Sequence, residues 1–177
     1  MKQELTTDQV SRHIEATPEA LYNLIADVTR TPELTPDIVR CTWIKGATGP
    51  AVGARFKAVN KAGRGPNWSN NPIVTAADPG REFAWARTEP FAGTVAWRYT
   101  FTPDGTGTRV TESYDVTKKL TIVGWFIIGT LYGLKDRRSD LRASMAATLD
   151  RIAEITEAPN GASVARPEQT LIMRSES

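Results

Sequence analysis

Most of the specialised chemistries a protein can carry lack their residues in this sequence. Among 177 residues there is one cysteine, Cys41, and one histidine, His13. A single cysteine excludes an internal disulfide and every multi-cysteine metal site, and it suits a reducing compartment. A single histidine leaves any Ser-His-Asp or multi-histidine arrangement resting on His13 alone. That residue falls with Gln9 and Ser11 opposite the apolar side of its segment, and is expected to face water. Charge of one sign is missing too: 22 basic residues meet 20 acidic ones, for a net charge of +2, and the signs are interspersed. This excludes the striped basic surface of a nucleic-acid binder. Gly63 and Gly65 are followed by Pro66 rather than a helix start, so no phosphate-cradling loop is expected. Acids at metal-ligand spacing are absent as well, and nothing in the chain calls for a cofactor.

Long apolar runs are also lacking. The longest, residues 120–134 (LTIVGWFIIGTLYGL), has 15 residues with Gly124 and Gly129 inside it, against about 20 needed to cross a bilayer. The opening MKQELTTDQVSRHIEA has no signal-peptide core. These features predict a cytoplasmic protein without stable membrane insertion, a monomer or weak homodimer. The 120–134 run admits three readings: a lid, a membrane-resting segment, or core. Without a basic polar face, lid or core fits better. No solenoid-period repeat is visible.

What is present is alternation. Val10 and Ile14 share one side of a strand over residues 8–15. Thr17-Pro18-Glu19 then reads as a helix start, with a hydroxyl cap, proline at the first helical position and an acid in the first turn. The helix is expected over residues 18–28, and Pro32 and Pro36 limit the next one to a short turn. Strands follow over 39–45 (Val39, Cys41 and Trp43 on one face), 53–60, 68–77 (interrupted by Pro72) and 82–87. The clearest pair lies between Thr94 and Val116, where two alternating runs flank the turn from Pro103 to Gly107 and predict a hairpin.

Residues 134–158 contain neither proline nor glycine. Leu134, Leu141, Met145, Leu149, Ile152 and Ile155 form one stripe, as in an amphipathic helix buried on one side. Its charges oppose its own dipole: Lys135, Arg137, Arg138 and Arg142 lie early, while Asp150, Glu154 and Glu157 lie late. Such a helix must draw its stability from the sheet it packs on. From Pro159 onward the sequence is polar and aperiodic, so residues 1–158 are expected to form one domain and 159–177 a disordered tail. Segregated strands and helices predict an α+β fold with an antiparallel sheet.

The order of elements, with the phrases ATPEALYNLIADVTRTPELTPDI, PGREFAWARTE and above all VAWRYTFTPDGTGTRVTESYDV, resembles the START-like (SRPBCC) superfamily of helix-grip proteins, in its polyketide cyclase/dehydrase branch. The resemblance spans Leu5 to Ala158 and rests on fold signatures, not on a catalytic one. It implies a sheet of about seven strands curved round the C-terminal helix, two short helices after the first strand, and an apolar cavity between sheet and helix. It implies binding, and possibly transport or modification, of a small hydrophobic molecule such as a lipid or polyketide. Two other readings stand beside it: an enzyme of the cyclase/dehydrase kind, and a chaperone-accessory or stress protein of the same superfamily.

The candidate ligand contacts are Trp43, Phe56, Trp68, Trp85, Trp97, Tyr99, Tyr114, Trp125, Phe126 and Tyr132, with Leu141 and Met145 from the long helix. Each ring is either a ligand contact or core filling. Arg138 falls inside the helix's apolar stripe, and either meets an anionic ligand group or a buried carboxylate at the cavity mouth or snorkels to water. Glu112 shares its strand face with Val110, Tyr114 and Val116. An acid there is desolvated or paired, so it is the candidate acid–base residue, against the alternatives of a structural salt bridge or an outward-facing place on the convex surface.

Overall fold

Alternating sequence becomes alternating burial wherever one strand face is covered and the other is wet. A computed structural model of the chain describes residues 6–61, 66–89, 93–118 and 137–158. Strand β1 (Thr7–Ile14) leads into α1 (Pro18–Ala26), whose cap is the Thr17 hydroxyl accepting from Ala20 N at 3.2 Å. The helix stops two residues earlier than the sequence suggests, because the Asp27 carboxylate accepts from Thr29 N at 3.1 Å and starts a separate 3-10 turn, Val28–Arg30. The short α2 (Thr31–Leu34) follows. Then come β2 (Ile38–Ile44), β3 (Arg55–Asn60), β4 (Trp68–Asn70), β5 (Ile73–Asp78), β6 (Glu82–Glu89), β7 (Gly93–Asp104) and β8 (Gly107–Lys118). The long helix α3 (Arg137–Glu157) closes the described part. Residues 134–136, the apolar run at 120–134 and the tail at 159–177 lie outside the described residues.

Every pairing among these strands is antiparallel, in the order β1-β8-β7-β6-β5-β3-β2, with β4 paired to β3. Chain segment 68–77 forms two strands rather than one, because Pro72 has no N–H to give the ladder. β4 and β5 therefore share one position beside β3, which makes seven positions from eight strands. Val39 departs from its expected side: the pairing of β2 with β3 slips between Ile38 and Arg40, and Val39 bulges out with 47% of its surface exposed. Cys41 and Trp43 keep the inner face opposite Ala58 and Phe56. The β7–β8 hairpin is as the alternation indicates, with Asp104 opposite Gly107 and Gly105 at a φ of 65° in the turn. At Gly107 a Cβ would stand 2.3 Å from the Ile14 carbonyl oxygen, so only glycine lets β8 start this close to the end of β1.

One end of the inner face is sealed. Tyr22 of α1 meets Phe83 and Phe101 edge-on, with ring centroids 6.3 and 6.1 Å apart. Leu149, Ile152 and Ala153 of α3 join the same cluster with Ile14 and Val110. α3 lies chiefly over β1, and charge keeps their register. Arg142 Nη1 donates to Asp8 Oδ1 at 2.6 Å, Arg12 pairs with Asp150, and Glu15 N donates to Glu157 Oε1 at 2.9 Å. Seven strand residues and fifteen helix residues each cover roughly 23 Å, so the contacts stay in step from end to end. The cations early in α3 thus face an acid on the strand, and its late acid Asp150 faces an arginine. Among the described residues no helix is long and apolar enough to cross a membrane.

Truncating the fully buried Leu149 to alanine should cost about 3 kcal/mol in urea denaturation. Replacing Val52, which is 70% exposed, by serine should change stability by less than about 0.5 kcal/mol.

Candidate functional site

Antiparallel register sorts the inner-face residues into rows that run across the strands. One row carries Val10, Glu112, Tyr99, Phe83 and Ala77. The next, away from α1, carries Asp8, Tyr114, Trp97, Trp85 and Val74. Burial varies within both rows: Val10 and Ala77 end the first half-buried, and Tyr114 and Val74 of the second are buried. Phe83, Tyr99 and Glu112 are buried, whereas Trp97 and Trp85 are only half-buried, as are Trp43 and Trp68 farther along the sheet. The rings form two groups, set side by side by the cross-strand pairing of Trp85 with Trp97. Trp43 meets Phe56 at 5.8 Å, Phe56 meets Trp85 at 6.2 Å, Trp85 stacks on Tyr99 at 5.8 Å, and Trp97 lies 5.4 Å from Tyr114. Trp68 stands at the far end under the Arg87 guanidinium, 5.3 Å from its ring centre. On α3, Met145 is buried and Leu141 half-buried.

Glu112 sits at the boundary between sealed core and aromatic floor, with 5% of its surface exposed. It is hydrogen-bonded to the Tyr99 hydroxyl, while its Oε2 has no hydrogen-bond partner among the described residues. Burial pushes its pKa up to about 8; the Tyr99 bond opposes the rise, and the nearby Asp37 carboxylate adds to it. Asp37 is itself held by the Ser144 hydroxyl of α3. The Tyr99 phenol is pushed well above its ordinary value by burial and by Glu112. At neutral pH the pair is therefore a carboxylic acid beside a phenol, able to donate to an acceptor brought to the floor.

A second polar group lies at the β1 edge of the aromatic row. Asp8, with 8% of its side chain exposed, lines an open cleft of about 250 Å³ with Arg138, Ser139 and Arg142. Burial alone would raise the Asp8 pKa, but the Gln9 N–H bond and the two guanidinium groups outweigh it and hold the carboxyl below its usual range. Arg138 is 46% exposed, with its Nε 3.9 Å from Asp8 Oδ2. It occupies the edge of the site, reaching water as well as the acid. The strand parity of Asp8 with Val10 and Ile14 carried this information, but an acid at a strand's start is easily read as a solvated end. Asp37 had no comparable signal, since its place depends on how α2 enters β2.

His13 takes no part in this face. It bonds Glu15 at 2.9 Å and Asp104 at 3.1 Å, and those acids raise its pKa, so it ties β1 to the β7–β8 turn. Cys41 is buried, and that burial pushes its thiol up to about 11, which makes it a poor nucleophile. Trp125, Phe126 and Tyr132 lie outside the described residues. No metal-binding group of His, Cys, Asp or Glu occurs among the described residues.

The comparisons with known proteins bear on this face as a whole. The family model for polyketide cyclase/dehydrase and lipid transport matches residues 7–157. Among solved structures, a polyketide-cyclase-like protein of Corynebacterium glutamicum is 31% identical, with a TM-score of 0.54 over 89% of this chain and 94% of its own. A protein of Chromobacterium violaceum is 15% identical, with a TM-score of 0.64 over 86% of this chain and 99% of its own. The di-domain ARO/CYC protein StfQ of the steffimycin biosynthetic pathway is 14% identical, with a TM-score of 0.68 over 87% of this chain and 51% of its own, so this chain spans about half of it. At these last two identities the likeness shows the fold alone. Among curated proteins no sequence match reaches significance.

The raised pKa of Glu112 predicts a pH signature. The unfolded chain ionises this carboxyl near 4.5, while the folded chain keeps its proton to about 8. The folded state therefore binds more protons across that window, and stability falls as pH rises through it. Glu112→Gln should flatten that slope, so thermal unfolding from acid to mildly alkaline pH should show the variant gaining on the parent by up to roughly 4 kcal/mol. Parallel curves for the two proteins would show that Glu112 ionises normally.

Proposed function

Because the chain belongs to the polyketide cyclase/dehydrase and lipid-transport family, we propose that it binds a small hydrophobic molecule against the inner face of the sheet, beneath α3. The observation that carries this reading is the set of half-buried tryptophans on the face that also holds Glu112, a buried acid with an uncommitted Oε2 among the described residues. Large rings left partly uncovered on the face that should be core are surface waiting for an apolar partner. The floor of Phe56, Trp85, Trp97, Tyr99 and Tyr114 supplies area, with Trp43 and Trp68 extending it toward β2 and Leu141 and Met145 above. Protonated Glu112 supplies direction, since it donates to a carbonyl or hydroxyl oxygen and discriminates against a ligand without one. The buried Cys41 thiol suits a cytoplasmic location.

The same acid supports a second reading as an enzyme. A neutral carboxylic acid bonded to a phenol in a low-dielectric floor is a proton donor tuned near neutral pH. Glu112 would protonate a bound ketone oxygen, and its carboxylate would recover a proton from the neighbouring carbon, converting ketone to enol with no atom gained or lost. Carrier and enzyme share the site and differ only in whether that proton moves.

Native mass spectrometry of the purified full chain is expected to show a co-purified apolar species. Trp97→Ala should weaken binding of an apolar fluorescent probe about tenfold. A chain that stays empty and ignores such probes contradicts the binding reading. For the enzyme, Glu112→Gln should abolish turnover while the probe still binds; retained turnover removes Glu112 from the chemistry.

A further inference from the structure

We propose that the molecule held on the inner face is an amphiphilic acid, and that Arg138 and Arg142 bind its anionic head, a carboxylate or phosphate, in the cleft they form with Asp8. This rests on the reading of the inner face as a hydrophobic-ligand site and names the chemistry of the ligand's polar end.

The cleft lies at the β1 end of the row that carries the aromatic floor, with the buried Tyr114 between Asp8 and the half-buried tryptophans. Asp8 pairs across the strands with Tyr114, Tyr114 with Trp97, and Trp97 with Trp85. Three strand spacings carry this row roughly 14 Å from the cleft into the half-buried tryptophans, the reach of a medium-length acyl chain or a few fused rings. A head at the cleft thus places its apolar body along the floor, passing the row that holds Glu112.

Charge in the cleft favours an anion. Two guanidinium groups face one carboxylate, and the acid of the helix's own first turn, Asp140, does not line the cleft. Each guanidinium carries five N–H donors. Asp8 and the Gln9 carbonyl engage Nη1 of Arg142, and Asp8 stands 3.9 Å from Nε of Arg138. The described contacts therefore leave donors of both groups facing the cleft, in the planar fork that suits carboxylate and phosphate oxygens. Asp8, largely buried, fixes where both groups point without cancelling both charges. Within the helix these are two like charges four residues apart, near the N-terminal start where the dipole opposes them, and the one carboxylate of Asp8 offsets only part of that cost. An anionic ligand head turns that cost into binding free energy.

Tryptophan fluorescence titrations of the full chain test this with matched probes: decanoate against methyl decanoate, anthracenecarboxylate against its methyl ester, and decyl phosphate. At least one acid should bind about tenfold or more tightly than its ester. Arg138→Gln with Arg142→Gln should bring the pair within about twofold while the ester's affinity stays put. Whether decanoate or decyl phosphate binds more tightly identifies the anion. If the double variant does not fold, added salt should shrink the acid's advantage in the parent protein. An ester that binds as well as its acid, or a preference that survives both substitutions or high salt, overturns the inference and leaves the hydrophobic site standing. Binding of no probe overturns both.

Discussion

The structure depends on how α3 is seated on β1. A helix with cations at its start and acids at its end is poorly stabilised by its own backbone dipole. It holds its place because the facing strand presents Asp8 to Arg142 and Arg12 to Asp150, two helical turns for every four strand residues. Leu149 and Ile152 of the apolar stripe then join one buried cluster with Ile14 and Val110, and that burial supplies most of the stabilisation. Surface ion pairs of this kind contribute little individually. Their effect here is on register: a helix shifted by one turn would set Ala146 opposite Asp8 or Arg12 and lose one of the two pairs.

That seat leaves the sheet unevenly covered. α3 lies over β1 and α1 seals one end through Tyr22, so the tryptophans of β2, β4, β6 and β7 keep part of their surface. Glu112 lies where the two regimes meet. A carboxyl in that position is desolvated on the core side, and one hydrogen bond from Tyr99 does not compensate, so the group keeps its proton. A neutral acid is a directional donor in an apolar setting, and an unpaired acceptor on a ligand is costly to bury anywhere else on the floor. The same residue thus links packing to selectivity.

Much of this was legible in the sequence wherever a pattern repeats. The alternation of Val95, Trp97, Tyr99 and Phe101 against that of Val110, Glu112 and Tyr114 indicates both the hairpin and the face that Glu112 shares. The i, i+4 spacing from Leu141 through Met145 to Leu149 indicates the buried side of α3. Features that break a pattern were less legible. The bulge at Val39 reverses an outward–inward assignment without any glycine or proline to mark it. Asp27 ends α1 through its own side chain, a competition that helix periodicity does not register. Asp37 reaches the neighbourhood of Glu112 only through the fold, across more than seventy residues of sequence. The site is a product of register, and register is fixed by contacts distant in the chain.

The central claim is that Glu112 is a neutral acid at the floor of a ligand site. Carbon-detected NMR titration of its side-chain carboxyl, assigned through Glu112→Gln, measures this directly. The account predicts a midpoint near 8, displaced when an apolar hydrogen-bond acceptor is added. A midpoint at the ordinary 4.5 that no ligand moves would contradict it.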